Sequence, residues 1–471
     1  EYRSGAATIT PSSLYAKPVE TKEPISLHIE RLADDGRGIA VEHGKTIFVT
    51  GALDGETVLT TIIKRSHKFN EGRVKSITHA SPDRIVPPCA VFSRCGGCSV
   101  QYMPPEKQLA FKQTAVLSQL SRWANISPQQ LVPTISVKEY GYRQRVRLAV
   151  DYAKDGELFL GFREEASHRL VNITACVVLE PALQAALPIL REWLGSIKAQ
   201  LVSHIELVNT ETTITVVVRH TRALPETNRH SLATLFVQAS ITAEVYFQGA
   251  KNAVLENVAG ETVDPRMEYA LVLQQPLALR FHPQDFIQSN LEVNQAMVAQ
   301  ALDLLAPQPT EHIVDQFCGI GNFSLAIAQQ AKHVTGIEGI DAMVGRARDN
   351  AQYNQLDNLT FLVQDLSDAS FDASVITNNV RFSAPLSVDG LVLDPPRSGA
   401  KEICQNIRKL LPKRIVYVSC DSSTFARDAK IASVDIDINE LNKKRGLKNF
   451  IKVNCDIKDF LKIYTNKKFT S

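Results

Sequence analysis

The sequence predicts a multi-domain α/β protein with three parts: a small N-terminal β-barrel, a central mixed α+β region, and a C-terminal parallel sheet with crossover helices. Three observations predict this. The 471 residues are enough for about three domains. Short alternating strands fill residues 25–81, whereas short apolar strands and helices alternate from about residue 284. The composition, 44% hydrophobic and 22% charged, suits a chain that buries real cores.

The overall composition also limits what the protein does. A formal net charge of only +2 means that any nucleic-acid surface is a local patch. Eight cysteines are too few for a disulfide scaffold in a chain of this length. No apolar run reaches the length of a membrane-spanning helix, and residues 1–24 read as a polar, flexible lead without a signal core. We therefore expect a cytoplasmic, monomeric protein that keeps its cysteines for chemistry.

Residues 25–81 predict the barrel. The segments ISLHIERL, KTIFVTGA, ETVLTTIIKRS and NEGRVKSITHA alternate apolar and polar residues, and DDGRG and LDGE supply turns. Basic residues are scattered over these strands, and small barrels of this kind often bind oligonucleotides. An ordinary solvated surface explains the same charges equally well.

Residues 82–270 form the central region, which opens on a cysteine-rich stretch. CAVFSRCGGC holds Cys89, Cys95 and Cys98 within ten positions. The spacing does not match the paired C-x2-C of zinc ribbons. From these residues alone a disulfide, a zinc site and an iron–sulfur site all remain open. A helical stretch, PEKQLAFKQTAVLSQLSRWA, and then mixed strands and helices complete the region.

Residues 271–432 carry a nucleotide-type site. HIVDQFCGIGNFSLAIA reads as a buried strand that enters a Gly319–Gly321 turn and then a helix, so a ligand can approach the backbone closely. The next two strands end in Glu338 and Asp365, which suit a ribose and an adenine amino group. Both could instead be helix caps or turn residues. The third glycine of a dinucleotide fingerprint is missing. The pattern favours an adenosine ligand without pyrophosphate, most naturally S-adenosylmethionine.

Two further strand ends point to the same crevice. LVLDPPRSG holds Asp394 in an extended geometry before two prolines, and IVYVSCDSSTFARD places Cys420 at a strand terminus between polar residues. A single cysteine is usually core filler. This position makes a nucleophile an equally good interpretation.

These motifs resemble those of a known family. FCGIGNFS, DPPR and YVSCDSSTFARD are similar to motifs of the S-adenosylmethionine-dependent RNA uracil-5-methyltransferases, whose catalytic domain is Rossmann-like. CAVFSRCGGC followed by Cys176 resembles the [4Fe-4S] ligand set of the ribosomal branch, and residues 25–81 resemble its TRAM domain, an OB-like RNA-binding barrel. The match runs in order from about residue 25 to 432. Members that act on tRNA lack both features, so the resemblance implies 23S ribosomal RNA as the substrate.

The resemblance also implies residue roles. Cys420 would be the nucleophile, and Cys89, Cys95, Cys98 and Cys176 would bind the cluster. The cofactor pocket would be lined by Gln288, Phe317, Asn322, Glu338, Asp365 and Asp394. Because methyl transfer needs no electron, we expect the cluster to be a structural staple.

Uracil chemistry explains this set of residues. C5 is too weak a nucleophile to take a methyl group until a thiolate adds at C6, so a partly ionised Cys420 is expected. The uridine must leave its stack to reach the pocket. Arg143, Arg145 and Arg163 are candidates for phosphate contacts, or are ordinary surface arginines.

The tail from residue 433 departs from the family pattern. The family's general base is a Glu after a His near the C-terminus, but no His follows His333 here. Glu440, in INELN, is the only Glu after Cys420 and does not match, so the general base is not found. We expect impaired proton removal and enzyme release, and a bare sheet edge where final strands are missing. The alternatives are a non-catalytic RNA-binding relative and a tRNA uridine methyltransferase.

Overall fold

A computed structural model describes the following residues: 23–165, 167–197, 201–210, 212–250, 254–366, 388–410, 412–435 and 451–455. Two compact units divide the chain. Residues 1–87 with 99–108 form the first, and residues 88–98 with 109–471 form the second. No helix in the described ranges is long and apolar enough to cross a membrane.

The first unit contains a six-stranded sheet with the order β1-β5-β6-β4-β3-β2. Segment 25–32 pairs with β5 through its first half and with β3 through its second half, so the sheet curls around one apolar core. Gly72 is required for close packing, because a Cβ there would overlap Thr60. The strands are β1 Ile25–His28, β2 Arg31–Leu32, β3 Gly38–Glu42, β4 Lys45–Thr50, β5 Thr57–Arg65 and β6 Phe69–His79.

The second unit begins with an eight-stranded sheet of order β14-β13-β12-β11-β10-β7-β8-β9. Two helices, α2 Pro181–Ser196 and α3 Glu226–Gln238, cover one face, where Trp193 is fully buried. The strands are β7 Arg145–Tyr152, β8 Leu158–Arg163, β9 Leu170–Asn172, β10 Val202–Asn209, β11 Ile214–His220, β12 Ala243–Gly249, β13 Leu255–Glu256 and β14 Thr262–Val263.

A parallel sheet follows, preceded by a hairpin of β15 Met267–Leu271 and β16 Leu277–Phe281 and by helix α4 Leu291–Leu305. Its strand order is β19-β18-β17-β20-β21-β22. The elements are β17 His312–Gln316, α5 Ser324–Ala328, β18 His333–Glu338, α6 Asp341–Tyr353, β19 Leu359–Val363, β20 Gly390–Leu393, α7 Lys401–Leu410, β21 Arg414–Ser419, α8 Ser422–Asp435 and β22 Ile451–Cys455. The strand order reverses between β17 and β20, where such sheets bind ligands.

The helical stretch after the cysteine-rich segment is α1 Pro105–Gln119, which continues into a π-helical turn over Leu120–Ala124. Leu120 is buried in the same apolar cluster as Leu391 and Phe425, beside β20 and α8. The sequence suggested a helix of the central region, but its last turn packs on the parallel sheet instead.

The strand β22 corrects one expectation. It pairs in parallel with β21, with Ile451 opposite Ile415 and Cys455 opposite Ser419. The predicted bare edge at β21 is therefore wrong, because residues 451–455 of the tail cover it.

Candidate active site

The candidate site lies at the carboxyl ends of four adjacent parallel strands, β18, β17, β20 and β21. Glu338 ends β18, Phe317 follows β17, Asp394 follows β20, and Cys420 follows β21. Parallel strands bring their carboxyl ends to one edge of a sheet, so four of the residues predicted from the sequence share the crevice at the switch point.

The turn after β17 is tightly curved. Phe317 has a φ of 64°, a left-handed conformation that costs energy for a non-glycine residue. Gly319 and Gly321 also have positive φ values, 56° and 95°. A Cβ at Gly321 would overlap Leu325 of α5, so only glycine lets the turn pass this close to the helix.

The Glu338 carboxylate is held by this turn. Its Oε2 accepts a 3.1 Å hydrogen bond from the Gly319 N–H, and its Oε1 accepts one of 3.1 Å from the Ile340 N–H. Glu338 is thus a turn residue, which is one of the alternatives that the sequence left open. Its carboxylate is also fixed at the crevice. The neighbouring Asp315 carboxyl is fully buried and accepts a 2.5 Å bond from Ser324 Oγ. Burial raises the pKa of Asp315 to about 7, and the charge of Glu338 adds to the rise.

Asn322 belongs to a side-chain network that the sequence analysis missed. Its Oδ1 accepts hydrogen bonds from the Tyr269 hydroxyl (2.9 Å) and from Asn294 Nδ2 (3.0 Å), and its own Nδ2 donates to Asn294 Oδ1 (2.9 Å). Burial raises the pKa of Tyr269 well above its usual range, so its hydroxyl stays a donor. The one available signal was Asn294, an amide on the buried face of α4.

Cys420 is half-buried beside charged groups. Burial raises the pKa of its thiol to about 11, and the carboxylate of Asp394 raises it further, whereas the guanidinium of Arg397 lowers it. Burial and the carboxylates therefore outweigh Arg397 in this structure, and the partly ionised thiol stays a prediction. The same charge contacts bring Cys420 and Asp394 together, as the sequence predicted.

Asp421 explains why Cys420 is presented at this edge. Its Oδ1 accepts hydrogen bonds from the backbone N–H groups of Ser423 (3.0 Å) and Thr424 (3.1 Å), which caps the start of α8. The strand therefore ends and the helix begins on either side of the cysteine.

Asp365 and Gln288 lie on flanking segments. Asp365 is exposed just after β19, and the preceding Gln364 N–H donates a 3.0 Å bond to the Glu338 carbonyl. Gln288 is half-buried in the loop before α4, where Asn290 caps the helix. Within the described part of the chain, no hydrogen bond or charge contact joins Gln288 to Cys420.

Arg145 fixes the loop that carries Gln288. Its Nε donates 2.6 Å to Glu206 Oε1, and its Nη atoms donate to the carbonyls of Pro283 (2.6 Å) and Asp285. The Asp285 carboxylate in turn pairs with Arg346 of α6. Arg145, a sequence candidate for phosphate contact, is thus engaged within the protein and connects β7 to the loop that carries Gln288.

The four cysteines of the predicted cluster are all half-buried. Burial raises the pKa of Cys95 to about 11, and the nearby Cys176 and Cys89 raise it further. Burial also raises the pKa of Cys176, where Cys89 again adds to the rise. Cys98 lies close enough to Tyr140 to raise the pKa of its hydroxyl, although burial is the main cause there. Three of the four sulfurs are therefore electrostatic neighbours.

Backbone donors surround two of these sulfurs. The Gly97 N–H points at Cys95 Sγ at 3.4 Å, and the backbone N–H groups of Val178 and Leu179 lie close enough to the Cys176 thiol to lower its pKa. Across the described ranges, however, no three His, Cys, Asp or Glu side chains are arranged to hold a metal ion. Glu440, the glutamate of the tail, lies outside the described residues.

Comparison with known proteins identifies the family. The family model described as tRNA (Uracil-5-)-methyltransferase matches residues 106–441. A 23S rRNA (uracil(1939)-C(5))-methyltransferase RlmD from Pseudomonas putida is 41% identical over 417 residues, 88% of each chain. The protein of the same name from Alkalilimnicola ehrlichii is 38% identical over 410 residues, covering 87% of this chain and 89% of that one.

A solved structure supports the fold. Pyrococcus abyssi tRNA (uracil-54, C5)-methyltransferase, in complex with S-adenosyl-L-homocysteine, aligns with a TM-score of 0.65 at 22% identity, covering 87% of this chain and 93% of that one. At this identity the likeness concerns the fold alone. The matched residues and the curated relatives go further: this chain belongs to the uracil-5-methyltransferase family.

Proposed function

We propose that this protein transfers a methyl group from S-adenosylmethionine to C5 of a uridine in 23S ribosomal RNA, giving 5-methyluridine. The observation that carries the proposal is the convergence of Cys420 and Asp394 at the switch point of the parallel sheet. The curated relatives named above, which share about two fifths of their residues with this chain, are 23S rRNA uracil-C5-methyltransferases. This substrate implies a cytoplasmic location.

The residues at the crevice suit an adenosine cofactor. Glu338 already accepts two backbone N–H bonds, and a carboxylate has further lone pairs for two ribose hydroxyls. Asn322 is oriented by Tyr269 and Asn294 and retains one amide hydrogen for a ligand. We assign Gln288, Phe317, Asp365 and Asp394 to the remainder of the pocket, following the family motifs.

Cys420 would act as the nucleophile. Its sulfur forms a bond to uracil C6, and the C5=C6 electrons move onto C5, which attacks the sulfonium methyl and releases S-adenosylhomocysteine. A base then removes the C5 proton, and the C6–S bond breaks to restore the double bond and the thiolate. Arg397 lowers the pKa of the Cys420 thiol and so partly offsets the burial and the Asp394 charge that raise it.

We also propose that Cys89, Cys95, Cys98 and Cys176 bind a [4Fe-4S] cluster. Four thiols are the usual ligands of such a cluster, and backbone N–H groups near Cys95 and Cys176 are typical of its surroundings. The cluster would staple the segment after the barrel to the loop before α2, and residues 25–81 would be the TRAM-type RNA-binding barrel.

Anaerobic purification tests the cluster. We expect a brown protein with visible thiolate–iron absorbance and about four irons and four sulfides per chain. A colourless, zinc-containing protein would refute this assignment without affecting the methylation proposal.

A methylation assay tests the function. In cells whose only such gene encodes this protein, 5-methyluridine mapped by mass spectrometry should lie in 23S rRNA and disappear with Cys420→Ala. Methylation of tRNA alone would replace the proposed substrate with that of the tRNA enzymes.

A second candidate is a relative that binds RNA but turns over slowly. It rests on one sequence observation. Glu440 is the only Glu after Cys420, and no His lies between these two residues. Single turnover on an unmodified rRNA fragment separates the two candidates. Slow turnover predicts a trapped covalent RNA adduct and little tritium release from 5-tritiated uridine. A normal 5-methyluridine yield without an adduct would eliminate it.

A further inference from the structure

The face of the central sheet that α2 and α3 leave uncovered holds a second polar site. It is a cavity of about 230 Å³, which we call the sheet-face pocket. Its lining is mostly cationic and amide side chains: Arg145, Arg147, His204, Glu206, Val217, Arg219, Gln248 and Gln284.

Strand register explains why these residues meet. Successive side chains of a strand point to opposite faces, and Val146, Ile205, Val218 and Phe247 fill the core under the helices. Their sequence neighbours therefore face the other way. Arg147 lies opposite Glu206. Arg219 lies between His204 on one side and Gln248 on the other.

The pocket has unbalanced positive charge. Its one carboxylate, Glu206, is occupied by Arg145 through an ion pair of 2.6 Å. Among the described residues, neither Arg147 nor Arg219 makes a side-chain hydrogen bond or ion pair. The pKa of His204 is affected by this positive charge. Burial lowers its pKa to about 4, and the charges of Arg147 and Arg219 lower it further.

We propose that the sheet-face pocket, with Arg219 and His204 at its centre, binds one backbone phosphate of the RNA substrate. The inference rests on the proposed function, since it supplies a second contact for the same RNA. An arginine fork beside an amide offers several N–H donors to phosphate oxygens, and an anion balances the excess charge. Gln284 in the lining belongs to the loop that carries Gln288. A phosphate bound here would therefore lie beside the segment that carries Gln288, one of the residues assigned to the cofactor pocket.

The test removes one pocket charge and one matched charge outside it. Arg222, three residues after Arg219, is exposed and does not line the pocket, so Arg222→Gln is the control. Arg219→Gln should weaken binding of an unmodified 23S rRNA fragment about tenfold at ~0.1 M salt. The slope of log Kd against log salt should fall by about 0.7–0.9, as for one lost phosphate contact. Arg222→Gln should leave both values unchanged.

Two further measurements distinguish loss of charge from loss of the guanidinium geometry and from unfolding. Arg219→Lys preserves the charge but not the fork, so the salt slope should stay near that of the unsubstituted protein while affinity falls less than in Arg219→Gln. Melting temperature and S-adenosylmethionine affinity should be the same in all variants, which excludes unfolding as the cause.

Inorganic phosphate distinguishes the source of the anion. The NMR chemical shift of the His204 ring should change when the rRNA fragment is added. It should stay unchanged when inorganic phosphate is added to about 10 mM. If phosphate alone moves it and Arg219→Gln binds RNA normally, the pocket is a free-anion site and the inference is overturned. Equal RNA binding by Arg219→Gln and Arg222→Gln also overturns it. Failure of the unsubstituted protein to bind or methylate the fragment would instead overturn the proposed function.

Discussion

The cysteine-rich segment and the candidate active site each bury a thiol to a similar degree, but the groups beside the two thiols differ. Burial raises the pKa of Cys95 and of Cys420 to about 11 in each case. Other cysteines surround the first, whereas Asp394 and Arg397 flank the second. Burial therefore sets how hard the thiol is to ionise, and the neighbours determine what it can do. Soft sulfurs together suit a metal cluster, and a carboxylate with a guanidinium suits nucleophilic chemistry.

Cys420→Ser should give the largest effect, a loss of methylation with little change in melting temperature. Loss of the nucleophile should lower methylation by about a thousandfold or more, since a hydroxyl at this position is a far weaker nucleophile than a thiol. The melting temperature should change by no more than about 1–2 °C, because one sulfur is exchanged for oxygen at a half-buried site. Single-turnover kinetics and thermal unfolding measure both effects. Substantial methylation by this variant would contradict the assigned nucleophile.

Cys176→Ser should show the opposite pattern. The same atom exchange at a proposed cluster ligand should remove the visible absorbance and lower the melting temperature by about 10 °C, because metal binding contributes folding free energy. Methylation per folded molecule should fall far less than in Cys420→Ser. Iron analysis, thermal unfolding and single turnover on the same preparations measure this. A variant that keeps its melting temperature would argue against a staple.

Glu338→Gln should weaken the cofactor site by a smaller amount. The substitution removes the charge that two backbone N–H groups stabilise and the charge-assisted bonds expected to the ribose. We expect S-adenosylmethionine affinity to fall about 10–100-fold by calorimetry, with visible absorbance unchanged. Asp341→Asn, an acidic residue in the first turn of α6, is the control and should bind the cofactor normally. Equal affinities for both variants would remove Glu338 from the pocket.

The smallest effects concern the neighbours of Cys420. Arg397 lowers the thiol pKa from its side of the site, so Arg397→Gln should raise it above about 11. Asp394 raises it, so Asp394→Asn should lower it. The thiolate forms as pH rises through the pKa, and alkylation by iodoacetamide should therefore move to higher pH in the first variant and to lower pH in the second. No shift in either variant would show that burial alone controls this thiol.

The sequence predicted the parallel sheet well, for a physical reason. Strands buried on both faces read as continuous apolar runs, and glycine and proline mark where they end, so Gly319, Asp394 and Cys420 could be placed at strand ends without coordinates. Each of these signals is local in sequence, and the structure agrees with each of them.

Contacts between distant residues could not be predicted in this way. Tyr269 and Asn322 are 53 positions apart, and Arg145 reaches 140 positions to the Asp285 carbonyl. Neither pair leaves a periodic pattern. The raised pKa of Cys420 depends on how deeply the site is buried, which a strand-end motif does not reveal. The pairing of β22 with β21 also lacked a signal, because the sequence of the tail showed only a departure from the family pattern.

The Arg145 contacts have an evolutionary consequence. One guanidinium bonds a carboxylate on β10 and two carbonyls in the loop before α4, so the strand and the loop must change together. Recombination that exchanged the central sheet between relatives without this loop would leave the buried Arg145 guanidinium without its partners. An unpaired buried charge costs several kcal/mol. We expect natural or engineered chimaeras to tolerate crossover points that keep Arg145, Glu206 and residues 283–285 from one parent. Inheritance of these segments as a unit would preserve the shape of the loop that carries Gln288 even as RNA targets diverge.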